Sequence, residues 1–519
     1  MTTNAASWPR RLGKSCLRAA ILIALPCFVA LPSIAGDDSP PPDQPRAAAP
    51  AYDKDWYDSQ PPDTHPNETA SWFDPYDPVP GIDFPCRGPG CGHGPHSHHE
   101  EHPVLPGLLG HDAFLVDCGR THSEPRRGVF DSLDEAAHFA PPNATILILP
   151  PGQGTTCVET VHIDRPLTIG SYGSAGRAVI QAPPGAPCLV AHIPLGDTLT
   201  IDGVRFVARS REAPCVAVEA GHVVVRNSEV DSRGSNWAFD VHESGELNVE
   251  NTHIETDASG VHARRAHVEL SNLDIDIDGR NGAAFLDLGR TDCTDRSQGT
   301  IHGSVGLALE CSEGSVDGGS IIGGSVGILA SAGTRGLRIT DVKIRRADTA
   351  ILLLPGQLGS VNVERPTIAR SHDGIIIAPG AESQVIGGVI TDSAFAGITA
   401  YGAGTLVSGN KIVGADDGIR LFAAEAFPPP LFPQFAAVPV IDGDDGGPTV
   451  ENNLVANVRH AAVLIDGRAG GHQLHLHGRL IGNTFYARRP AECIDEQYND
   501  DPVKVRANSC NREWLPWPF

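Results

Sequence analysis

The chain has 519 residues, ample for a large core, and a formal net charge of −24 at pH 7. So acidic a chain lacks the basic stripe that nucleic acid requires. It is also a poor general surface for anionic polysaccharides, although a local basic cleft would still hold one.

The first 35 residues read as a secretory signal. Arg10, Arg11, Lys14 and Arg18 precede an apolar run over 19–31, and "PSIAG" supplies small residues for cleavage after Ala35. Beyond it no stretch is long and apolar enough for a transmembrane helix, so a secreted or periplasmic chain is expected. Cys16 and Cys27 leave with the signal, and ten of the twelve cysteines remain. An even number in an exported chain reads as disulfides. Spacing suggests neighbours: Cys86–Cys91, Cys118–Cys157, Cys188–Cys215, Cys293–Cys311 and Cys493–Cys510, one connectivity among many.

Residues 36–102 hold 13 acidic and three basic residues, with much proline and no apolar period. They read as a disordered acidic tail. Its patches "YDKDWYD" and "SWFDPYDP" are aromatic enough to dock, onto the chain's own body by preference or onto a protein partner through Trp56 and Trp72. The run "HGPHSHHEEH" offers imidazoles to a transition metal but no fixed geometry, and a solvated tail is preferred.

The folded body, 103–486, announces itself at "FDSLDEAAHFAPPNATILILPPG". Ser132 and Glu135 form a capping box before a short helix with Leu133, Ala136, Ala137 and Phe139 apolar. "TILIL", "TVHIDRPLTIGS" and "AVIQA" then read as short strands. A repeat follows. Small residues at Ala238, Gly260, Ala283, Gly306, Gly327, Ala350, Gly374, Gly397 and Gly418 each precede an apolar triplet, in steps of 21–24 residues. "APCLV" and "APCVAV" extend the ladder backwards, and "HAAVLID" and "AECID" extend it forwards. This period, with short strands between Gly, Asn and Asp punctuation, requires an all-β solenoid in which stacked coils bury one another's apolar residues. Cys188 and Cys215 occupy equivalent places on neighbouring coils, so a disulfide between them is expected to staple the two.

The passages "VFDSLDEAAHFAPPNATILILPPG" and "TVHIDRPLTIGSYGSAGRAVIQA" resemble the start of right-handed parallel β-helix proteins of the pectate-lyase-like superfamily. "SHDGIIIA" and "GADDGIRLF" resemble its carbohydrate-binding and sugar-hydrolase type repeats. The resemblance spans about 130–494. It implies a right-handed parallel β-helix with a short N-terminal capping helix, and a linear glycan as the partner that such a surface suits. The signatures of its pectin methylesterases, polygalacturonases, pectate lyases and alginate epimerases have no match here. "ERPTIAR" holds Arg365, Pro366 and Arg370 at the wrong spacing for a pectate lyase.

Asp373 and Asp417 each stand before a ladder glycine. Turn chemistry explains both, because Asp caps turns and glycine accepts positive φ, and this structural reading is the default. The competing reading makes Asp373 and Asp417 a catalytic pair two coils apart, about 10 Å, with Asp416 and His372 beside them and Arg420 binding substrate. That separation is near the upper end of the roughly 6.5–9.5 Å of inverting glycosidases. The insertion at 423–449 must leave the solenoid, and Phe427, Phe432 and Phe435 either wall a substrate groove there or pack a proline-stiffened flap.

No motif demands a cofactor. "DGDDGG" over 442–447 offers calcium hard oxygen ligands without a known register, and His475 and His477 share a strand face at a spacing that clasps zinc, without a third ligand. Paired arginines at 264–265, 345–346 and 488–489 suit uronate carboxylates but read first as solubilising charges. A C-terminal cap occupies 487–519. The functional expectation is an exported protein that recognises, and in one form cleaves or modifies, a polysaccharide by lyase, hydrolase or epimerase chemistry. The alternative is a non-catalytic adhesin or envelope scaffold.

Overall fold

The computed structural model of the chain describes residues 113–512, apart from 153–155, 174–175, 279–284, 288–299, 303, 331–333, 355–359, 380, 382, 402–403, 423–446, 467, 470–471, 474–475, 477, 490–491 and 498–502. The signal region, the acidic tail with Cys86 and Cys91, Cys293, the insertion with Phe427, Phe432 and Phe435, the 442–446 acidic run, His475 and His477 lie outside the described residues.

Each coil contributes three short strands. A representative one runs through Asp373–Ile377, Ser383–Ile386 and Val389–Thr391 before the next begins at Ala396. Strands stack in parallel into a 28-stranded and a 14-stranded sheet. The larger sheet turns a corner, seen where Val216–Arg226 pairs first with Leu189–His192 and then with Thr198–Asp202. The solenoid therefore has three faces, here called first, second and third in chain order within a coil. Among the described residues no helix is long and apolar enough to cross a membrane.

Stacking like on like builds the core. On the third face Ile254, Ile275, Ile321, Ile344, Ile368, Ile390 and Ile412 form one register column pointing inward. All are buried, and each such side chain contributes about 1.5–3 kcal/mol. The corner before this face is left-handed. Asn227, Asn251, Asn272, Asp341, Arg365 and Asn452 have φ between 48° and 56° there, where Asn and Asp are favoured among side-chain-bearing residues.

Several expectations are corrected here. The ladder glycines do not have positive φ; they are small because coils touch. A Cβ on Gly418 would lie 2.3 Å from Val455 Cγ1 and 2.5 Å from the Ala462 carbonyl oxygen. Asp373 and Asp417 accordingly open strands rather than cap turns. The rung expected at Ala283, which lies outside the described residues, does not stand between the coils of Gly260 and Gly306. Val261 pairs directly with Leu307, and Phe285–Asp287 pairs antiparallel with Thr300–His302 in an excursion. The 46 residues from Gly260 to Gly306 equal two periods, which is why spacing alone inserts a coil that does not exist.

Two predicted disulfides are formed, Cys118–Cys157 and Cys493–Cys510, and Cys311 is disulfide-bonded. Cys188 and Cys215 do fall on neighbouring coils but are free, buried thiols with their sulfurs 2.8 Å apart. That is longer than the covalent bond of about 2.05 Å, and burial pushes the Cys215 thiol up, away from the thiolate that exchange requires.

The helix Leu133–Phe139 closes the N-terminal end. Ser132 caps it, accepting from the Glu135 amide at 3.1 Å. The return half of the capping box is replaced: Glu159 takes Ser132 Oγ and the amides of Leu133 and Asp134, placing an anion at the helix N-terminus. Phe139 stays over half exposed while packing on Phe114 and Phe130. At the other end coils continue beyond 487, with Ile494–Gln497, Lys504–Arg506 and Ser509–Arg512 pairing in register.

Candidate functional site

Because side chains alternate along a strand, one residue per coil points outward at the middle of the first face. In register these are Asp240 and His262, then Ala308, Leu329, Leu352 and Ile376, then Thr399, Arg420, Leu464 and Asp495. The face is polar at both ends and apolar between, and Ala308, Leu329 and Leu352 are shielded from solvent although they point away from the core.

The C-terminal end gathers most of the residues expected from sequence. Asp373 and Asp417 are aligned through Ala396, hence two coils apart. His372 Nδ1 lies 2.8 Å from Asp373 Oδ2, and its ring stacks on Phe395 at 5.5 Å. On Phe395 also rests the Arg420 guanidinium, 3.6 Å from the ring centroid. Arg420 Nε donates to Asp417 Oδ2 at 2.7 Å. The ring of Phe395 is 39% exposed. Tyr401 and Phe422 stack beside this group at 5.1 Å.

The two carboxylates differ in what surrounds them. Asp417 is fully buried, and its Oδ1 accepts from the Ala461 amide at 3.0 Å and from His460 Nδ1 at 2.8 Å. With Arg420 on the other oxygen it is enclosed, so it orients His460 and Arg420 rather than meeting a substrate. Asp373 is only mostly buried, and burial pushes its carboxyl up in spite of the opposing hydrogen bond from His372 and the charge of Arg420. A carboxyl so placed keeps its proton to higher pH, as a proton donor must. Burial also pushes the Tyr401 phenol up to about 12, with the charge of Asp373 acting in the same direction. His460 Nε2 is 3.6 Å from Asp495 Oδ2. Asp416 stands apart from the pair, 3.5 Å from Arg459 Nε.

Phe395, Tyr401, Phe422, His460 and Asp495 were not singled out from sequence. The signal for two of them was present: in the repeat alignment His372, Phe395, Asp416 and His460 share the column just before Asp373, Ala396, Asp417 and Ala461.

A second polar cluster, missed entirely, occupies the N-terminal end. His262 Nδ1 lies 2.8 Å from Asp240 Oδ1, and His242 Nε2 lies 3.2 Å from Asp240 Oδ2. Trp237 stacks on the His262 ring at 4.6 Å. Burial alone would raise the Asp240 carboxyl, but the two histidines hold it well below the usual carboxylate range. Burial would lower His262, yet Asp240 and Glu310 push it up to about 9. Among the described residues the one group of three potential metal ligands in mutual reach is Cys118, Cys157 and Glu159, and the disulfide occupies both sulfurs.

Residues 324–495 match the family model described as the right handed beta helix region. Among curated proteins none matches the sequence significantly. Solved structures similar to the chain include the catalytic domain of a GH87 alpha-1,3-glucanase in complex with nigerose, 11% identical, covering 74% of this chain and 67% of that one with a TM-score of 0.38. Others are an alginate lyase from Paenibacillus sp. str. FPU-7 (12% identity, 73% and 96% covered, TM-score 0.25) and the A-module of the Azotobacter vinelandii mannuronan C-5 epimerase AlgE6 (12%, 73% and 93%, TM-score 0.24). The stacked parallel coils give the chain the fold of a right-handed parallel β-helix.

Proposed function

We propose that the protein recognises a neutral polysaccharide on the C-terminal end of its first face and cleaves it there with Asp373 as the proton donor. The observation that carries this reading is the partly exposed His372–Phe395–Arg420 stack beside a shielded carboxyl whose pKa burial raises. Aromatic side chains with a few convergent polar groups are the usual composition of a small-ligand site. Charge selects the class of glycan. Arg420 is engaged by Asp417 and Arg459 by Asp416, while Asp495 adds negative charge, so a uronate carboxylate finds no ready counter-ion. For a neutral glycan cleavage means hydrolysis, since elimination and C5 epimerisation draw on the acidic proton next to a carboxylate. Asp373 would protonate the departing glycosidic oxygen as the glycosidic bond breaks, water would add to the anomeric carbon and release its proton to solvent, and Asp373 would regain its proton from solvent. Asp417 is a positioning residue that holds His460 and Arg420. The disulfides Cys118–Cys157 and Cys493–Cys510 support a secreted or periplasmic setting.

The enclosure of Asp417 favours a second reading, a binding face without chemistry, in keeping with an adhesin or envelope scaffold. Incubation of the mature protein with neutral and acidic polysaccharides, with and without calcium, separates the two when products are read by mass spectrometry. Hydrolysed neutral oligosaccharides that vanish in Asp373→Asn are expected. Binding without product leaves the scaffold reading, and cleavage that survives in Asp373→Asn removes Asp373 from the mechanism.

A further inference from the structure

The N-terminal polar cluster lies six register steps from Arg420, about 29 Å at strand spacing, and takes no part in the site above. Three coils assemble it. Asp240 and His262 are register partners, and Glu310 ends the next strand opposite Arg264. Asp240 accepts from His262 Nδ1, which turns Nε2 away from Asp240 and towards Glu310; ligation by Nε2 requires it to give up its proton. Trp237 fixes the plane of the ring.

Two atoms then face each other as a long ion pair without a hydrogen bond. His262 Nε2 and Glu310 Oε1 are both buried and make no hydrogen bond, and Glu310 is only 6% exposed. They are 3.8 Å apart. That gap is too wide for a hydrogen bond. It is the right width for an ion: metal–nitrogen and metal–oxygen bonds of about 2.0–2.2 Å span roughly 3.3 Å when tetrahedral and somewhat more when the angle opens. A carboxylate on the far nitrogen of a ligating histidine is the usual outer partner of a protein-bound zinc.

We propose that Asp240, His262 and Glu310 form a binding site for a divalent cation of the zinc type, with His262 Nε2 and Glu310 Oε1 as ligands and Asp240 holding the imidazole. One nitrogen and one carboxylate oxygen select zinc, cobalt or nickel over calcium or magnesium, which take oxygen ligands. Two protein ligands leave further positions to water or to a bound molecule, so the affinity is modest beside that of a four-ligand structural site.

The test is equilibrium dialysis of the mature full chain against zinc, with bound metal counted by elemental analysis. A reference variant carries alanine at His93, His96, His98, His99 and His102, so that the histidine-rich tail does not contribute. Against that reference, His262→Gln and Glu310→Gln should each lose one bound zinc per chain. Asp240→Asn should retain the site but weaken it by about 10–100-fold. Glu310→Gln preserves shape, so its loss of metal is read in a folded protein, checked by thermal unfolding. Zinc should also raise the unfolding temperature of the reference and not that of Glu310→Gln. An unchanged zinc count in either single variant, or no bound zinc in the reference, overturns the assignment.

Discussion

The two ends of the first face use one arrangement in two environments. Asp240–His262–Glu310 and Asp417–His460–Asp495 each place an imidazole between two carboxylates from successive coils, with nitrogen–oxygen gaps of 3.8 Å and 3.6 Å on the open side. His262 is 16% exposed beneath Trp237, whereas His460 is 50% exposed. Burial turns the first into a closed charge cluster that joins three coils and sets His262 Nε2 and Glu310 Oε1 face to face without a hydrogen bond. Exposure leaves the second, on the same face as Asp373 and Phe395, open to solvent. The same ladder chemistry is thus closed or open according to what covers it.

The sharpest way to break that contrast is Asp373→Asn. If the open end performs proton transfer, this change lowers turnover on a neutral glycan by about 10²–10⁴-fold while leaving the unfolding midpoint nearly unchanged; a parallel loss of fold would make Asp373 structural. Asp417→Ala should do the reverse. Removing an enclosed carboxylate strands Arg420 and His460, at a cost of about 3 kcal/mol in urea unfolding, and a stability equal to that of the parent would show that Asp417 orders nothing.

pH separates the two ends further. In metal-free protein His262 is raised to about 9 from its ordinary 6.5, so its contribution to stability is complete below 6.5 and is lost as pH rises through 9. Asp240 is depressed, so its contribution is present above the usual carboxylate range and is lost as pH falls through its lowered value. Asp240→Asn should flatten both limbs of the stability profile, and a profile that keeps its alkaline limb would place the coupling elsewhere. At the open end, the Asp373 carboxyl must be protonated to act, so activity falls as pH rises through its raised pKa. His372 opposes that rise, and His372→Ala should move the alkaline limb of activity to higher pH. The smallest effect is reserved for Tyr401→Phe. A phenol at about 12 stays neutral across the working range, so the pH–rate profile should keep its shape, and a displaced alkaline limb would implicate Tyr401 in proton transfer.

Much of this architecture was legible in the sequence. The 21–24-residue period counted coils correctly from Gly306 to Gly418, because each coil must return an apolar triplet to the same wall, and that demand is local. It also set Asp373 and Asp417 two coils apart, and the order of the cysteines along the chain paired Cys118 with Cys157 and Cys493 with Cys510. A period counts residues, however, and is blind to an excursion as long as two coils, so Ala283 was taken for a rung. Nor does a single coil state which neighbours its outward side chains meet. Asp240 reaches Glu310 across 70 residues of chain only because register places His262 between them. Asp417 is enclosed by a histidine 43 residues on. The sequence by itself determined a stacked all-β coil, through alternation and small residues at tight contacts. Which carboxyl is enclosed and which has its pKa raised by burial was decided by tertiary structure alone, because desolvation and charge pairing act between coils.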